Sequence, residues 1–257
     1  MMALVMTPFS CGAFRAHCRG MVMRGPRTGR KTSLSLPDLR LRGNQDEFVR
    51  LMRDPDYSIV VATGSAGTGK TMLACTEAVR SLENKHVKRI VITRPTVVSD
   101  EEQGLGFLPG DLETKMSPWV RPIMDHLTEC LSAQQVRSWV ADGTIEIAPL
   151  CFMRGRTFKE AFIIGDECQN VRPPIMKMLL TRLGANSKMV VVGDLEQTDF
   201  SAGTMNGLSD FIHRVRASPR KGIGVIRLTH DCIARHPVIP DVLDLYRGVE
   251  THDKLAK

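Results

Sequence analysis

Eight consecutive residues, Gly64-Ser65-Ala66-Gly67-Thr68-Gly69-Lys70-Thr71, follow an apolar β-rich run at 58–63 and precede a helical pattern. That is the context of a phosphate-binding loop. Its glycines let backbone N–H groups turn inward around phosphates, the helix start adds its positive dipole end, and Lys70 supplies a mobile cation. Thr71 then falls where a magnesium ligand is needed. A second stretch, Ala161-Phe162-Ile163-Ile164-Gly165-Asp166-Glu167, is an apolar strand ending in adjacent carboxylates. In a phosphoryl hydrolase Asp166 would hold magnesium through water and Glu167 would orient the attacking water.

The elements that must position these residues are legible as near-continuous apolar runs at 59–63, 89–93, 145–148, 162–166, 189–193 and 225–228, with helical patterns between most of them. Strands of that kind alternating with helices form a parallel sheet covered on both faces, a three-layer α/β arrangement. The strand ends carrying Thr63, Thr93, Asp166 and Gly193 should share one edge, where such sheets bind ligands. Residues 105–139 interrupt the rhythm. Pro109-Gly110, Pro118 and Pro122 are expected to break this insertion into a loop and helices near the site.

At 257 residues one main domain is expected, with a boundary between a basic arm at 1–36 and the body at 37–257. The net charge is +7, but residues 1–36 carry Arg15, Arg19, Arg24, Arg27, Arg30 and Lys31 with no acid, which leaves +1 for the body. Such an arm reads as a disordered extension, a transit peptide, a nucleic-acid-binding arm or a start placed upstream of Met21 or Met23. The seven cysteines are scattered without C-x-x-C pairs, which excludes a zinc site of usual spacing and points to a reducing, cytoplasmic compartment. Cys168, beside the carboxylates, reads as a space-filling residue. No run reaches the roughly 18 apolar residues of a membrane span, so no membrane association is expected.

Further runs give the chain a family resemblance. Asn44-Gln45, the loop 64–71, Thr93-Arg94-Pro95, the run 105–111 (LGFLPGD), Met153-Arg154-Gly155-Arg156-Thr157, Asp166-Glu167 with Gln169-Asn170, Met176-Lys177-Met178 with Leu180-Thr181-Arg182, Gly193-Asp194 with Gln197 and Asp199, and Arg235-His236-Pro237 occur in order. From about Gly43 to Tyr246 the chain resembles the PhoH-like ATPases, relatives of the helicase-type P-loop NTPases. The resemblance implies a RecA-like fold, ATP and Mg²⁺ as cofactors, ATP hydrolysis, homo-oligomers that are often hexameric rings, and action on RNA or single-stranded nucleic acid. Some similar proteins carry a nuclease domain, and none is expected within this sequence.

By the same resemblance Gln45 matches the glutamine that reads adenine with its amide, Gln197 matches a γ-phosphate sensor, and Arg235 matches an arginine finger acting on a neighbouring subunit's ATP. Arg94, Arg154, Arg156 and Arg182 are further phosphate candidates, each with a surface salt bridge as the plainer reading. Three departures stand out. Gly165 replaces a bulky apolar residue and is expected to loosen its strand end, the segment 99–103 is longer and more acidic than usual, and Ala234 replaces a β-branched residue.

Two functions from different classes follow: an ATPase that moves along or remodels RNA or single-stranded DNA, and an ATP-dependent switch for a protein partner such as a ribonuclease. Aromatic residues make up only 5% of the chain, so nucleic-acid binding would be directed mainly at phosphates. A small-metabolite kinase fits poorly, because Glu167 and Gln197 suit the positioning of water and no Arg-rich lid is evident.

Overall fold

The computed structural model describes residues 39–95, 112–201, 203–232 and 238. Six strands, β1 (Ile59–Thr63), β2 (Arg89–Thr93), β3 (Ile145–Ile147), β4 (Ala161–Gly165), β5 (Lys188–Gly193) and β6 (Ile223–Arg227), form one parallel sheet in the order β3-β2-β4-β5-β1-β6. The side-chain period of two sends Val60, Ala62, Ile90, Ile92, Phe162 and Ile164 to one core, and Val61, Val91, Ile163 and Val191 to the other. Both faces are therefore covered, and the three-layer α/β class follows.

Helices α1 (Gln45–Arg53), α2 (Lys70–Glu83), α3 (Leu112–Cys130) and α4 (Ala133–Ala141) supply the first core. Helices α5 (Pro173–Leu180) and α6 (Gly207–Ala217) supply the second. A buried carboxylate joins α1 to α2: Glu77 accepts a two-pronged pair of hydrogen bonds from Arg53 at 2.7 and 2.8 Å and a third from Arg80 at 3.3 Å. Planar guanidinium forks satisfy a desolvated carboxylate better than a single donor does. No helix of the described residues is long and apolar enough to cross a membrane.

Register aligns the strand ends. Thr63 pairs with Gly193 on one side and Arg227 on the other, and Thr93 pairs with Gly165. The ends expected to line one edge do so. Because β1 and β2 are separated by β5 and β4, the connection through α2 crosses two strands, which opens the edge where the loop 64–71 sits.

The structure corrects two expectations. Pro118 and Pro122 do not break the insertion; both lie inside α3, whose Ile123, Leu127 and Cys130 bury against Leu73, Ala74 and the rest of the α2 core. A proline forfeits one helical hydrogen bond, and tertiary burial of the apolar face outweighs that loss. Nor is the end of β4 loosened by Gly165, which pairs on both sides. Cys168 Sγ and Leu179 occupy the space, lying 3.1 and 3.3 Å from where a Cβ would stand. The Cys168 thiol is fully buried and pushed far above its ordinary pKa by desolvation, so it fills space and is inert.

Candidate functional site

The loop 64–71 turns tightly between β1 and α2, with Gly67 and Gly69 in left-handed backbone at φ +84° and +81°. An L side chain there would be strained, and Gly69 immediately precedes the first helical residue, Lys70. Lys70 Nζ donates to the carbonyls of Gly64 at 2.6 Å and Ser65 at 2.9 Å. Thr68 Oγ1 donates to the same Ser65 carbonyl at 2.8 Å, so the turn is braced from within.

Across the edge, Thr71 Oγ1 donates to Asp166 Oδ1 at 2.9 Å. Ninety-five positions separate these residues in sequence, and the crossover brings them into contact. Asp166 is buried, and its carboxyl is pushed above the usual range first by desolvation and then by the charge of Glu167, while Arg94 and the Thr71 hydrogen bond pull it back. Arg94 spans both acids, 4.0 Å from Asp166 and 3.6 Å from Glu167.

Glu167 adopts left-handed backbone at φ +51° at the start of the 3-10 turn Cys168–Asn170. A non-glycine residue in that conformation costs about 1–3 kcal/mol and persists only when its surroundings fix it. Gln169 fixes it. This side chain is 1% exposed; its amide N donates to Glu167 Oε2 at 2.6 Å and to the Gln197 carbonyl at 3.2 Å, and its amide O accepts from Asp194 N at 3.1 Å. Asn170 and Asp199 close the same seam with a reciprocal pair at 2.7 and 3.0 Å. At Gly193 a Cβ would lie 2.7 Å from Gln169 Oε1, so glycine is the residue that admits the bracket.

A cleft of about 330 Å³ results, bordered by Ala66, Lys70, Thr71, Asp166, Glu167 and Gln197. Asp194 also faces it. Its Oδ1 accepts from Glu196 N at 3.0 Å, whereas buried Oδ2 has no hydrogen-bond partner among the described residues. Burial raises the Asp194 carboxyl, and the Lys70 charge opposes that rise. The cleft's far wall is α3, through His126 and Glu129, which face each other at 3.5 Å.

The other candidates divide. Gln45 is buried, with its amide N donating to Thr68 O at 2.9 Å and Cys232 O at 3.2 Å, and its amide O accepting from Arg42 N at 2.9 Å. In this arrangement the amide braces the loop through backbone atoms. Arg156 pairs with Glu146 and stacks 4.5 Å over Phe158, and Arg182 donates to the carbonyls of Met178 and Arg156 at 3.0 and 2.9 Å. Both hold local structure away from the cleft. Arg154 is exposed. Arg235, the segment 99–111 and the arm 1–36 lie outside the described residues.

Comparison with known proteins gives the chain a family. Residues 40–247 match the family model described as PhoH-like protein. The chain belongs to the PhoH-like family. It is 44% identical over 202 residues to the PhoH-like protein of Bacillus subtilis, covering 79% of this chain and 61% of that protein. Protein PhoH of Escherichia coli K12 is 43% identical over 196 residues, covering 75% of this chain and 54% of that one. The chain thus spans between half and two thirds of the length of these PhoH-like relatives. In fold alone it is similar to the large terminase of a thermophilic bacteriophage, with TM-score 0.52, 10% identity, and coverage of 80% of this chain and 50% of that one.

In the sequence Gln169 stands out only as part of a run shared with the family, and nothing marks His126 or Glu129. On the hydrolytic reading proposed below, Gln169→Ala should lower ATP turnover about 10²-fold, the scale of a small misplacement of reacting groups, while ATP affinity holds. It should also cost about 1–3 kcal/mol of stability by orphaning Asp194 N and the Gln197 carbonyl. Steady-state kinetics, filter binding and thermal melts read these separately. Unchanged turnover would show that the bracket does not position Glu167.

Proposed function

We propose that the protein binds ATP and magnesium in this cleft, hydrolyses the nucleotide, and couples hydrolysis to movement along or remodelling of single-stranded RNA or DNA. The observation that carries the reading is the meeting of Thr71 and Asp166 at 2.9 Å beside a Glu167 held to the Gln197 loop by Gln169.

The chemistry follows from these groups. Lys70 donates to two neutral carbonyls, and a phosphate oxygen offers it a charged acceptor with a stronger hydrogen bond, so the loop exchanges partners on binding. The hydroxyl of Thr71 and the carboxylate of Asp166 are hard oxygen donors of the kind magnesium takes. Thr71 and Asp166 would hold the ion, whose charge would offset that of the phosphates. Glu167 is aimed by Gln169 and can take the proton of an attacking water, while Gln197, bordering the same cleft, would sense the terminal phosphate. In a homo-oligomer, Arg235 would supply a neighbour's site with its guanidinium.

ATP turnover measured with and without homopolymeric single-stranded RNA and DNA tests the coupling. Stimulation by either strand is the expected result. A rate indifferent to both would remove nucleic acid from the function and leave an ATPase that acts on a protein partner.

A further inference from the structure

Charge in the body of this protein is segregated. Residues 211–230 contain no Asp or Glu and carry Arg214, Arg216, Arg220, Lys221 and Arg227, so this segment holds +5 while the rest of the body, whose total is +1, holds −4. These cations are exposed. Arg214 is neutralised within its helix by Asp210 at 2.8 Å, and Arg227 meets Glu196 at 3.1 Å in a solvent-exposed pair. Arg216, Arg220 and Lys221 form no ion pair among the described residues. A pair as exposed as Arg227–Glu196 is worth little in water, so its guanidinium is free to exchange partners.

The segment is also shaped. Helix α6 begins at the catalytic edge, where Leu208 packs against Gly193, and descends to a turn at 218–222. There the Gly222 carbonyl accepts from Ser58 N and Ile59 N at the opposite edge of the sheet, and β6 climbs back to place Arg227 beside Thr63. Between α6 and β6 lies a second cleft, of about 250 Å³, with His213 and Arg216 on one wall, Arg227 on the other, and Gly64 and Asp194 at its upper end. Asp194 borders this cleft and the nucleotide cleft alike.

We infer that the α6–β6 face is the single-strand track of this protein, with the phosphates of the nucleic acid running from Arg227 past Arg216 to Arg220 and Lys221. The inference rests on the nucleic-acid-coupled reading above. Five β-residues span about 16 Å, so the cations are spread along a line and not clustered at a point, which suits a linear polyanion. Guanidinium forks match phosphate geometry without reading sequence. Contact at the upper end falls on Gly64, the first residue of the phosphate loop, and on Asp194. Occupancy of the track is therefore felt at the ATP site through shared residues.

The test uses the full chain and the triple variant Arg216→Gln, Arg220→Gln, Lys221→Gln, none of which touches the nucleotide cleft. Binding to homopolymeric single-stranded RNA is measured across a salt series, together with basal and RNA-stimulated turnover. Basal turnover should be unchanged, stimulation should fall sharply, and the log–log salt slope should shrink by about 2, since each phosphate contact on a single strand contributes about 0.7. A matched variant with Lys85→Gln, Arg137→Gln and Lys159→Gln removes three exposed cations elsewhere and should keep the wild-type slope.

Equal losses in the two variants would mean a diffuse field with no track, and would overturn the assignment. An unchanged slope in the first variant, with wild-type binding intact, would overturn the track while leaving the coupled ATPase standing. Displacement of RNA by polyglutamate at equal charge would make the face a docking surface for acidic protein instead. Wild-type protein that binds no single strand at any salt would remove both the track and the coupling.

Discussion

Glu167→Gln will hold ATP and almost cease to release phosphate. The amide keeps the shape of the side chain and an oxygen to accept from Gln169 Nε2, so the left-handed turn at 167 and the bracket to Gln197 survive. The basicity needed to take a proton from water is lost. General-base catalysis contributes roughly 10²–10⁴-fold, and turnover should fall within that range. Nucleotide affinity should not fall with it. Loss of the Glu167 charge removes one of the two forces that disfavour the ionised form of Asp166, so the side of the cleft proposed to hold magnesium is not weakened. Filter binding should show retained, long-lived ATP. If affinity collapsed together with turnover, Glu167 would be a ligand or structural residue.

Lys70→Ala will act at the earlier step. Two charge-assisted hydrogen bonds to phosphate disappear at about 1.5 kcal/mol or more each, so affinity should weaken by about 10²-fold or beyond, and turnover with it. The fold should persist. Gly64 and Ser65 are buried beneath the partly exposed Lys70, so removing its side chain opens the Gly64 carbonyl to water in the cleft, and Thr68 still donates to Ser65. A melting transition close to wild type, alongside lost ATP binding, is the expected pair of results. Unchanged affinity would detach the loop from the nucleotide.

The two variants differ in what they leave behind, and that difference reflects how the site is made. The phosphate loop is local in sequence, eight contiguous residues whose backbone geometry follows from their own glycines. It could be read directly. Apolar runs likewise placed all six strands within a residue or two, because a strand buried on both faces has few alternatives. The start of β6 is hidden in sequence, since Gly222 and Gly224 signal a break although Ile223 already pairs with Ile59.

Partnerships were less legible than positions. Gln45 and Gln169 are both buried glutamines whose amides are engaged by distant partners, and no spacing in the chain encodes that Thr68 or Asp194 completes them. Arg156 and Arg182 carry the same guanidinium as a phosphate ligand, and only packing sends them to Glu146, Phe158 and nearby carbonyls. His126 and Glu129 lie on α3, where Pro118 and Pro122 argued against a continuous helix, so the cleft wall they form was hidden behind a local rule that tertiary burial overrode. The acid-free segment 211–230 was masked by a body charge of only +1, in which its +5 is cancelled by carboxylates elsewhere.

The central claim is that the cleft between the phosphate loop and the Asp166-Glu167 strand end hydrolyses ATP. Its most direct measurement is phosphate release from ATP by the full chain, followed with magnesium and after its removal by chelation, with the acceptor of the terminal phosphoryl group identified. The expected result is steady, magnesium-dependent release of inorganic phosphate, with water as the acceptor. Transfer of the phosphoryl group to another molecule, or tight ATP binding with no release under any condition, would contradict the account.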